Sequence, residues 1–200
     1  ELNKLPLYLM NDAEIVGYPD EEFQGEIYEW VRKKIFDLEY NKFSQIFEFS
    51  IKDLGAGRGD FYSVFKNSNY KIDYFGIESN PNLCRVGEQK YPGIKIFNDD
   101  FNQIGLDVQE TDYTICIGTL NDDHGLDKWE YFNKTLNHAL NNTKTAILFV
   151  LQANCYGEQG HLDYPIPPLV SELPHGIGWE IDNSRFEDIY LLTVHIGSFN

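Results

Sequence analysis

The feature that most restricts the fold is a run of closely spaced glycines, Gly55-Ala56-Gly57-Arg58-Gly59, directly after a strand-like apolar segment at residues 46–54. Glycines permit tight turns and let a ligand lie against the backbone. A helix is predicted from about Asp60, so the turn would present backbone N–H groups at a helix N-terminus. A strand, a glycine turn and a helix in this order indicate a cofactor-binding α/β protein.

Strand-like and helix-like segments alternate along most of the chain, which indicates an α/β layer fold. A first helix is predicted to begin near Asp20 and to bury one apolar face, formed by Phe23, Ile27, Trp30, Val31, Ile35 and Leu38. Further strands are predicted at residues 74–78, 94–97, 113–118 and 145–151, with helices beginning near Asn80-Pro81 and Asp127.

The last two strand-like segments, residues 177–181 and 189–196, lie too close in sequence for a helical crossover and should pair antiparallel. We therefore predict a Rossmann-like, doubly wound, mostly parallel seven-stranded sheet with a C-terminal antiparallel strand pair and helices on both faces. The chain is interpreted as one domain. Its parts are an N-terminal helical segment (1–44), a cofactor-binding core (45–151), a flap or substrate segment with a short helix near 168–173 (152–176), and the closing strands (177–200).

The chain is strongly acidic, with 32 Asp and Glu residues against 16 Lys and Arg residues and a formal net charge of −16. This charge disfavours duplex nucleic acid as a partner, since such binding depends on neutralising phosphates. It also disfavours anionic membrane surfaces, and no apolar run reaches the roughly 20 residues of a membrane span. Cys84, Cys116 and Cys155 are isolated, which favours free thiols in a reducing compartment. We expect a cytoplasmic protein.

Acidic residues flank the glycine turn. Asp53 lies two positions before Gly55, where it could hold an ammonium group. Glu78 ends the next predicted strand, where a carboxylate can chelate a ribose diol. The spacing is G-x-G-x-G rather than the dinucleotide pattern G-x-G-x-x-G, and a pyrophosphate would gain little beside Asp53 and Asp60.

Four segments, in this order, resemble the motifs of the class I S-adenosylmethionine-dependent methyltransferases. Residues 53–59 resemble their first motif and residues 74–78 their second. Residues 98–101 resemble the acidic turn after the third strand, and residues 112–121 the fourth-strand motif. The resemblance covers about residues 45 to 200 and is specific for fold and cofactor rather than for substrate.

This resemblance implies S-adenosylmethionine as the cofactor, S-adenosylhomocysteine as the product, and a set of cofactor-binding residues: Asp53, Gly55, Ala56, Gly57, Gly59, Glu78, Ser79, Asp99, Asp100, Phe101, Gly118 and Thr119. The glycine turn would carry the methionine moiety and Glu78 the ribose hydroxyls. Asp100 would accept from the adenine amino group with Phe101 or Asp99 beside it, and the register between the two aspartates stays open. Gly118, Thr119 and Asn121 should face the transferred methyl group.

Methyl transfer is a direct displacement, so alignment supplies much of the rate and a general base is optional. Asn121 and His124 are the candidate catalytic residues, although Asp122-Asp123-His124 is equally well read as a solvated polar loop. Three adjacent residues rarely converge on one ion, so we predict no metal. For His161 and His175 a surface role is favoured.

Tyr156, Tyr164 and Trp179 could form an aromatic wall for the acceptor, although packing in the core is the commoner role for such residues. Residues 165–168 superficially resemble the motif of amino-methylating DNA enzymes, but they follow the fifth strand and lack its leading Asn or Asp. The expected function is methyl transfer to a small molecule or a protein side chain. An NAD(P)-dependent Rossmann oxidoreductase and a non-catalytic binding module of the same fold are the alternatives. The acceptor and the oligomeric state stay open.

Overall fold

A computed structural model describes residues 13, 17–40, 48–66, 68–101, 109–122, 125, 127–154 and 160–197. The chain divides into two compact units, of which the first comprises Glu1–Phe47 and Phe61–Tyr70 and the second comprises Glu48–Asp60 and Lys71–Asn200. The interpretation of the chain as one domain stays a prediction.

The first unit contains the predicted N-terminal helix, α1, at Glu21–Tyr40. Asp20 caps it, because its Oδ1 accepts a hydrogen bond of 2.8 Å from the backbone N–H of Phe23. The core of the predicted apolar face is buried: Ile27, Trp30, Val31 and Ile35. Edge-to-face ring contacts join α1 to the segment after the glycine turn, such as Tyr28 with Phe61 at 5.4 Å between ring centroids.

The helix predicted from Asp60 is a 3-10 helix of six residues, Asp60–Phe65, rather than a longer α-helix. Its sequence, Asp-Phe-Tyr-Ser-Val-Phe, consists of residues with modest helix propensity, and turn-forming Asn67-Ser68-Asn69 follows within two residues of its end. Short 3-10 helices are common in connecting segments of this kind, where helix propensity is modest and a turn sequence follows.

The second unit is built on a seven-stranded sheet. The strands are β1 (Glu48–Leu54), β2 (Lys71–Glu78), β3 (Lys95–Asn98), β4 (Thr111–Ile117), β5 (Thr143–Gln152), β6 (Gly178–Asp182) and β7 (Ile189–His195). Their order in space is β3-β2-β1-β4-β5-β7-β6. The first five are mutually parallel, whereas β7 pairs antiparallel with both β5 and β6. The predicted fold is therefore confirmed. The start of the predicted first strand, residues 46 and 47, lies outside the described residues.

Three α-helices connect the strands: α2 (Pro81–Lys90), α3 (Lys128–Leu140) and α4 (Ile166–Glu172). The predicted starts of α2 and α3 are confirmed, and both are capped. The Asn80 side chain accepts from the N–H of Asn82, and Asp127 Oδ1 accepts from the N–H groups of Trp129 and Glu130. Helix α4 begins two residues before the predicted position. A buried cluster packs α3 and α4 against β5 and β7, with Phe132, Phe149, Leu169 and Leu192 among its members.

The order of the strands decides where a ligand can bind. From β1 the chain runs outward to β2 and β3, and it then crosses to β4 on the other side of β1. At such a switch point the loops that leave the two central strands diverge and open a crevice at their carboxyl ends. The glycine turn follows β1, and residues 118–121 follow β4.

Candidate cofactor site

The glycine turn lies at the carboxyl end of β1 and is tied to β2. The backbone N–H groups of Gly55 and Ala56 both donate to the carbonyl of Ile77, at 2.9 and 3.1 Å. Gly55, Gly57 and Gly59 have φ values of 74°, 56° and 70°, in the left-handed region that favours glycine. The turn therefore requires glycine at these alternate positions.

The end of β4 lies directly against this turn. Thr119 Oγ1 is 3.3 Å from the carbonyl oxygens of Leu54 and Gly55 and can donate to either. A Cβ atom on Gly55 would lie only 1.8 Å from the same hydroxyl oxygen. The structure thus brings the first and fourth motifs together.

Glu78 links the turn to the end of β2. Its Oε2 accepts a hydrogen bond of 2.9 Å from the backbone N–H of Gly57, and its Oε1 accepts one of 2.8 Å from the N–H of Asn80. Ser79 Oγ lies 3.5 Å from Oε1 as a weak second donor, whereas Oε2 keeps a second lone-pair direction for a ligand. The carboxylate is held in place by the backbone before any ligand arrives.

The acidic turn after β3 lies beside the end of β2. The side-chain amide of Asn98 donates to the carbonyls of Glu78 and Ser79, at 3.0 and 2.9 Å, and the N–H of Asp99 donates to the carbonyl of Glu78. Asp99 Oδ1 in turn accepts from the N–H of Asp100. Both aspartates therefore lie next to the predicted ribose site, and the choice between them stays open.

Phe101 has a different environment from its neighbours. Its ring is only 5% exposed and stacks on Tyr131 of α3, with 6.3 Å between ring centroids. It belongs to the hydrophobic core beneath the acidic turn. Its contact with adenine stays a prediction.

Asp53 is buried near the end of β1, next to the turn, with 4% of its surface exposed. Tyr74 of β2 donates a hydrogen bond of 2.6 Å to its Oδ2. Burial raises the pKa of Asp53 to about 7; the Tyr74 hydrogen bond opposes this effect and the Glu78 carboxylate adds to it. Asp53 therefore changes its charge near neutral pH.

Asp60, which the sequence marked only as an acidic neighbour of the turn, is the centre of a buried polar network. Its Oδ2 accepts from Arg58 Nε and Nη2, at 3.0 and 2.7 Å. Its Oδ1 accepts from Lys90 Nζ at 2.9 Å and from Tyr91 Oη at 2.8 Å, both at the end of α2. No local sequence signal pairs Asp60 with residues 30 positions away, so this network was missed.

Of the two candidate catalytic residues, the structure describes Asn121 but not His124. Asn121 ends a 3-10 turn at Thr119–Asn121, and its side-chain oxygen accepts a hydrogen bond of 3.0 Å from the N–H of Gln152. That bond holds the end of β4 to the end of β5, and a catalytic role for Asn121 stays a prediction. His124 and Asp123 lie outside the described residues.

The segment after β5 folds back over the end of β4. Asp122 and His161 form an antiparallel bridge, and the N–H of Leu162 donates to the carbonyl of Asn121 at 2.6 Å. Tyr164 is fully buried, and its hydroxyl donates to the carbonyl of Leu120. Its place is therefore in the core rather than on an acceptor wall.

Of the other two candidates for such a wall, Trp179 is 41% exposed on the edge strand β6, whereas Tyr156 lies outside the described residues. Cys84 and Cys116 are buried free thiols, and Cys155 also lies outside the described residues. Within the described ranges, no group of three or more His, Cys, Asp or Glu residues could hold a metal ion. No helix of the described part of the chain is long and apolar enough to cross a membrane.

A protein named as a methyltransferase matches part of this chain in sequence. The protein named "Putative methyltransferase Rv1506c" of Mycobacterium tuberculosis is 33% identical over 73 residues, which are 36% of this chain and 43% of that protein. The match therefore spans less than half the length of that relative. No protein-family profile matches the chain.

Solved structures match over a larger share of the chain. The PH0226 protein of Pyrococcus horikoshii superposes with a TM-score of 0.69 at 10% identity, over 96% of this chain and all of that one. The amino pentose methyltransferase CalS10 of Micromonospora echinaspora, solved with S-adenosylmethionine bound, gives 0.66 at 11% identity, over 86% and 91% of the two chains. At such identities the likeness is one of fold.

Proposed function

We propose that this chain, which has the fold of the class I S-adenosylmethionine-dependent methyltransferases, binds S-adenosylmethionine and transfers its methyl group to an acceptor. The observation that carries the proposal is the contact between the Glu78 carboxylate and the N–H of Gly57. This contact holds a carboxylate at the rim of a glycine turn, with the acidic turn at Asp99 and Asp100 beside it, and the proposal assigns the ribose to that carboxylate.

The charges around the turn favour a cationic cofactor over a dinucleotide. Asp53 lies next to the turn, and Asp60 directly follows Gly59 and is hydrogen-bonded to Arg58. The Glu78 carboxylate accepts a hydrogen bond from the N–H of Gly57. A pyrophosphate would have to approach these carboxylates and displace one of them from a backbone donor. The sulfonium and ammonium groups of S-adenosylmethionine are instead attracted by them.

The residues of the chain supply binding and alignment. The glycine turn and Asp53 would hold the methionine part, Glu78 the ribose, and one of the two aspartates after β3 the adenine. Thr119 and Asn121, at the end of β4, would face the methyl group, where alignment of the acceptor with the carbon–sulfur bond provides much of the rate.

A small-molecule or protein acceptor fits the acidic chain, and we favour a small molecule. The support for this choice is the likeness to CalS10, an amino pentose methyltransferase whose chain matches this one over most of both lengths. The acceptor would approach from the carboxyl ends of β4 and β5, where residues 160–164 fold over the sheet.

A thermal-shift panel with S-adenosylmethionine, S-adenosylhomocysteine, NAD and NADP tests this proposal. We expect both adenosyl ligands to raise the melting temperature and both dinucleotides to leave it unchanged. At a ligand concentration a hundredfold above Kd, the stabilisation amounts to about 2.7 kcal/mol, which is readily measured. A chain that responds to NAD alone would be an oxidoreductase candidate, and a chain that responds to none of the four would contradict the proposal.

A second prediction concerns the ribose site. Glu78→Gln is expected to weaken S-adenosylhomocysteine binding by roughly 10- to 100-fold, because hydrogen bonds to a charged group are worth about 1.5–3 kcal/mol. The amide oxygen can still accept one of the two backbone hydrogen bonds, so the turn should keep its shape. Isothermal titration calorimetry gives the affinity.

The matched control is Glu48→Gln, which alters an exposed carboxylate at the opposite end of β1, where it pairs with Lys71. We expect this variant to bind the ligand like the unmodified chain. Equal affinities for the two variants would remove Glu78 from the site.

A further inference from the structure

Asp53 and Tyr74 form a buried, hydrogen-bonded pair, whereas attraction of a cationic cofactor alone would require only a nearby carboxylate. Asp53 is almost entirely enclosed, and a short hydrogen bond from a tyrosine on the neighbouring strand fixes one of its oxygens. Tyr74 is itself buried, and its ring lies 3.5 Å from where a Cβ atom on Gly59 would be. The pair therefore lies close to the glycine turn, which would hold the methionine part of the cofactor.

The two carboxyl oxygens of Asp53 differ. Oδ2 accepts from Tyr74 Oη, whereas Oδ1 accepts no hydrogen bond from the described residues. Oδ1 is thus the atom left for an ammonium group. The hydrogen bond to Oδ2 restricts the orientation of the carboxyl group, so Tyr74 helps to set where Oδ1 lies.

Burial and the Glu78 carboxylate disfavour a negative charge on Asp53. Tyr74 and Glu78 face it from β2, and the buried Cys116 thiol faces it from β4. Among these groups only Tyr74 stabilises the ionised form, since burial and the Glu78 carboxylate both raise the pKa of Asp53. No cation among the described residues pairs with Asp53.

We propose that Tyr74 is a positioning residue for the cofactor: it orients the Asp53 carboxyl beneath the turn, so that capture of the cofactor's ammonium group is coupled to release of a proton from Asp53. This rests on the proposed function and adds to it a residue that contacts neither the cofactor nor the acceptor. The proton leaves the carboxyl oxygen for solvent, and the carboxylate then accepts from the ammonium group.

The sign of the pH dependence follows from this coupling. Above pH 7 Asp53 is already ionised in the free chain, and the affinity is at its plateau. As the pH falls through 7, a growing fraction of the chains must first lose this proton, so the affinity falls with the pH. A group that titrates near 7 makes binding about tenfold weaker at pH 6 than at pH 8.

Isothermal titration calorimetry between pH 5.5 and 8 tests the coupling with two probes. S-adenosylhomocysteine carries the ammonium group, and we expect its affinity to fall about tenfold from pH 8 to pH 6. 5′-Methylthioadenosine has the same adenosine and thioether but no amino-acid part, so its affinity should stay constant. Asp53→Asn should bind S-adenosylhomocysteine more weakly and without this pH dependence.

Tyr74→Phe tests the positioning role. It keeps the ring and removes the hydrogen bond that favours the ionised carboxyl, so the midpoint of the affinity profile should rise by about one pH unit. Tyr190→Phe is the matched control, because it removes another buried hydroxyl, one that donates to the carbonyl of Tyr164. It should leave the midpoint unchanged even where it lowers the melting temperature.

The outcomes separate the two proposals. S-adenosylhomocysteine binding that is constant across this pH range would overturn the proton coupling and leave the proposed function standing. A coupled profile whose midpoint does not move in Tyr74→Phe would overturn the role of Tyr74. Absence of binding at every pH would overturn the proposed function itself.

Discussion

Replacing Gly55 by alanine is expected to destabilise the folded chain by about 2–5 kcal/mol and to abolish measurable S-adenosylhomocysteine binding. Two costs add. A non-glycine residue in the left-handed region costs about 1–2 kcal/mol, and Gly55 has a φ of 74°. The new Cβ would lie 1.8 Å from Thr119 Oγ1, and forcing such a contact apart costs about 1–3 kcal/mol. Urea denaturation measures the loss, which is a large share of the 5–15 kcal/mol typical of a domain.

Two further variants separate these costs. Gly176→Ala places alanine at a φ of 84° where nothing lies within 4 Å of the new Cβ, so only the backbone cost of about 1–2 kcal/mol should appear. Combining Gly55→Ala with Thr119→Gly removes the contacting side chain and should restore the steric part of the stability. If Gly55→Ala costs no more than Gly176→Ala, the contact between the turn and the end of β4 is contradicted.

The sheet could be predicted from sequence because its signals are local. Apolar runs of strand length, the glycine turn after β1 and the caps at Asn80 and Asp127 each lie within one short segment. The antiparallel pairing of the last two strands followed from their close spacing in sequence. A helix was predicted from Asp60, but its type was missed, because helix propensities of the residues hardly distinguish a short α-helix from a 3-10 helix.

The site was predictable only for residues that belong to a motif. The motifs marked Glu78 and Thr119 as site residues, and the structure places both against the turn, but their ligand contacts stay predictions. The pairing of side chains between motifs could not be predicted. In the register of β1 and β2, Asp53 lies opposite Gly76. Tyr74 precedes Gly76 by two residues, so its side chain lies on the same face of the sheet as Asp53 and reaches it. Strand register depends on the whole sheet, so this contact required the structure.

The network at Asp60 leads to the second large expected effect. Arg58 lies inside the glycine turn yet is only 3% exposed, and both its Nε and its Nη2 contact the Asp60 carboxylate. The other carboxyl oxygen binds the end of α2 through Lys90 and Tyr91. One carboxylate therefore fastens the turn to the helix that follows β2, the strand on which Glu78 lies.

Asp60→Asn keeps the shape of the side chain and removes the charge, so we expect a loss of about 3–5 kcal/mol, as when one partner of a buried ion pair is removed. Asp163→Asn is the matched control, because its partner Lys128 is partly solvated and exposed pairs contribute at most about 1 kcal/mol. Urea denaturation of both variants gives the comparison. Where enough Asp60→Asn folds for titration, its affinity for S-adenosylhomocysteine should also fall. Loss of the Arg58–Asp60 contact would shift the neighbouring Gly57, whose N–H holds the Glu78 carboxylate. Equal stability losses in the two variants would mean that the glycine turn keeps its conformation without the Asp60 network.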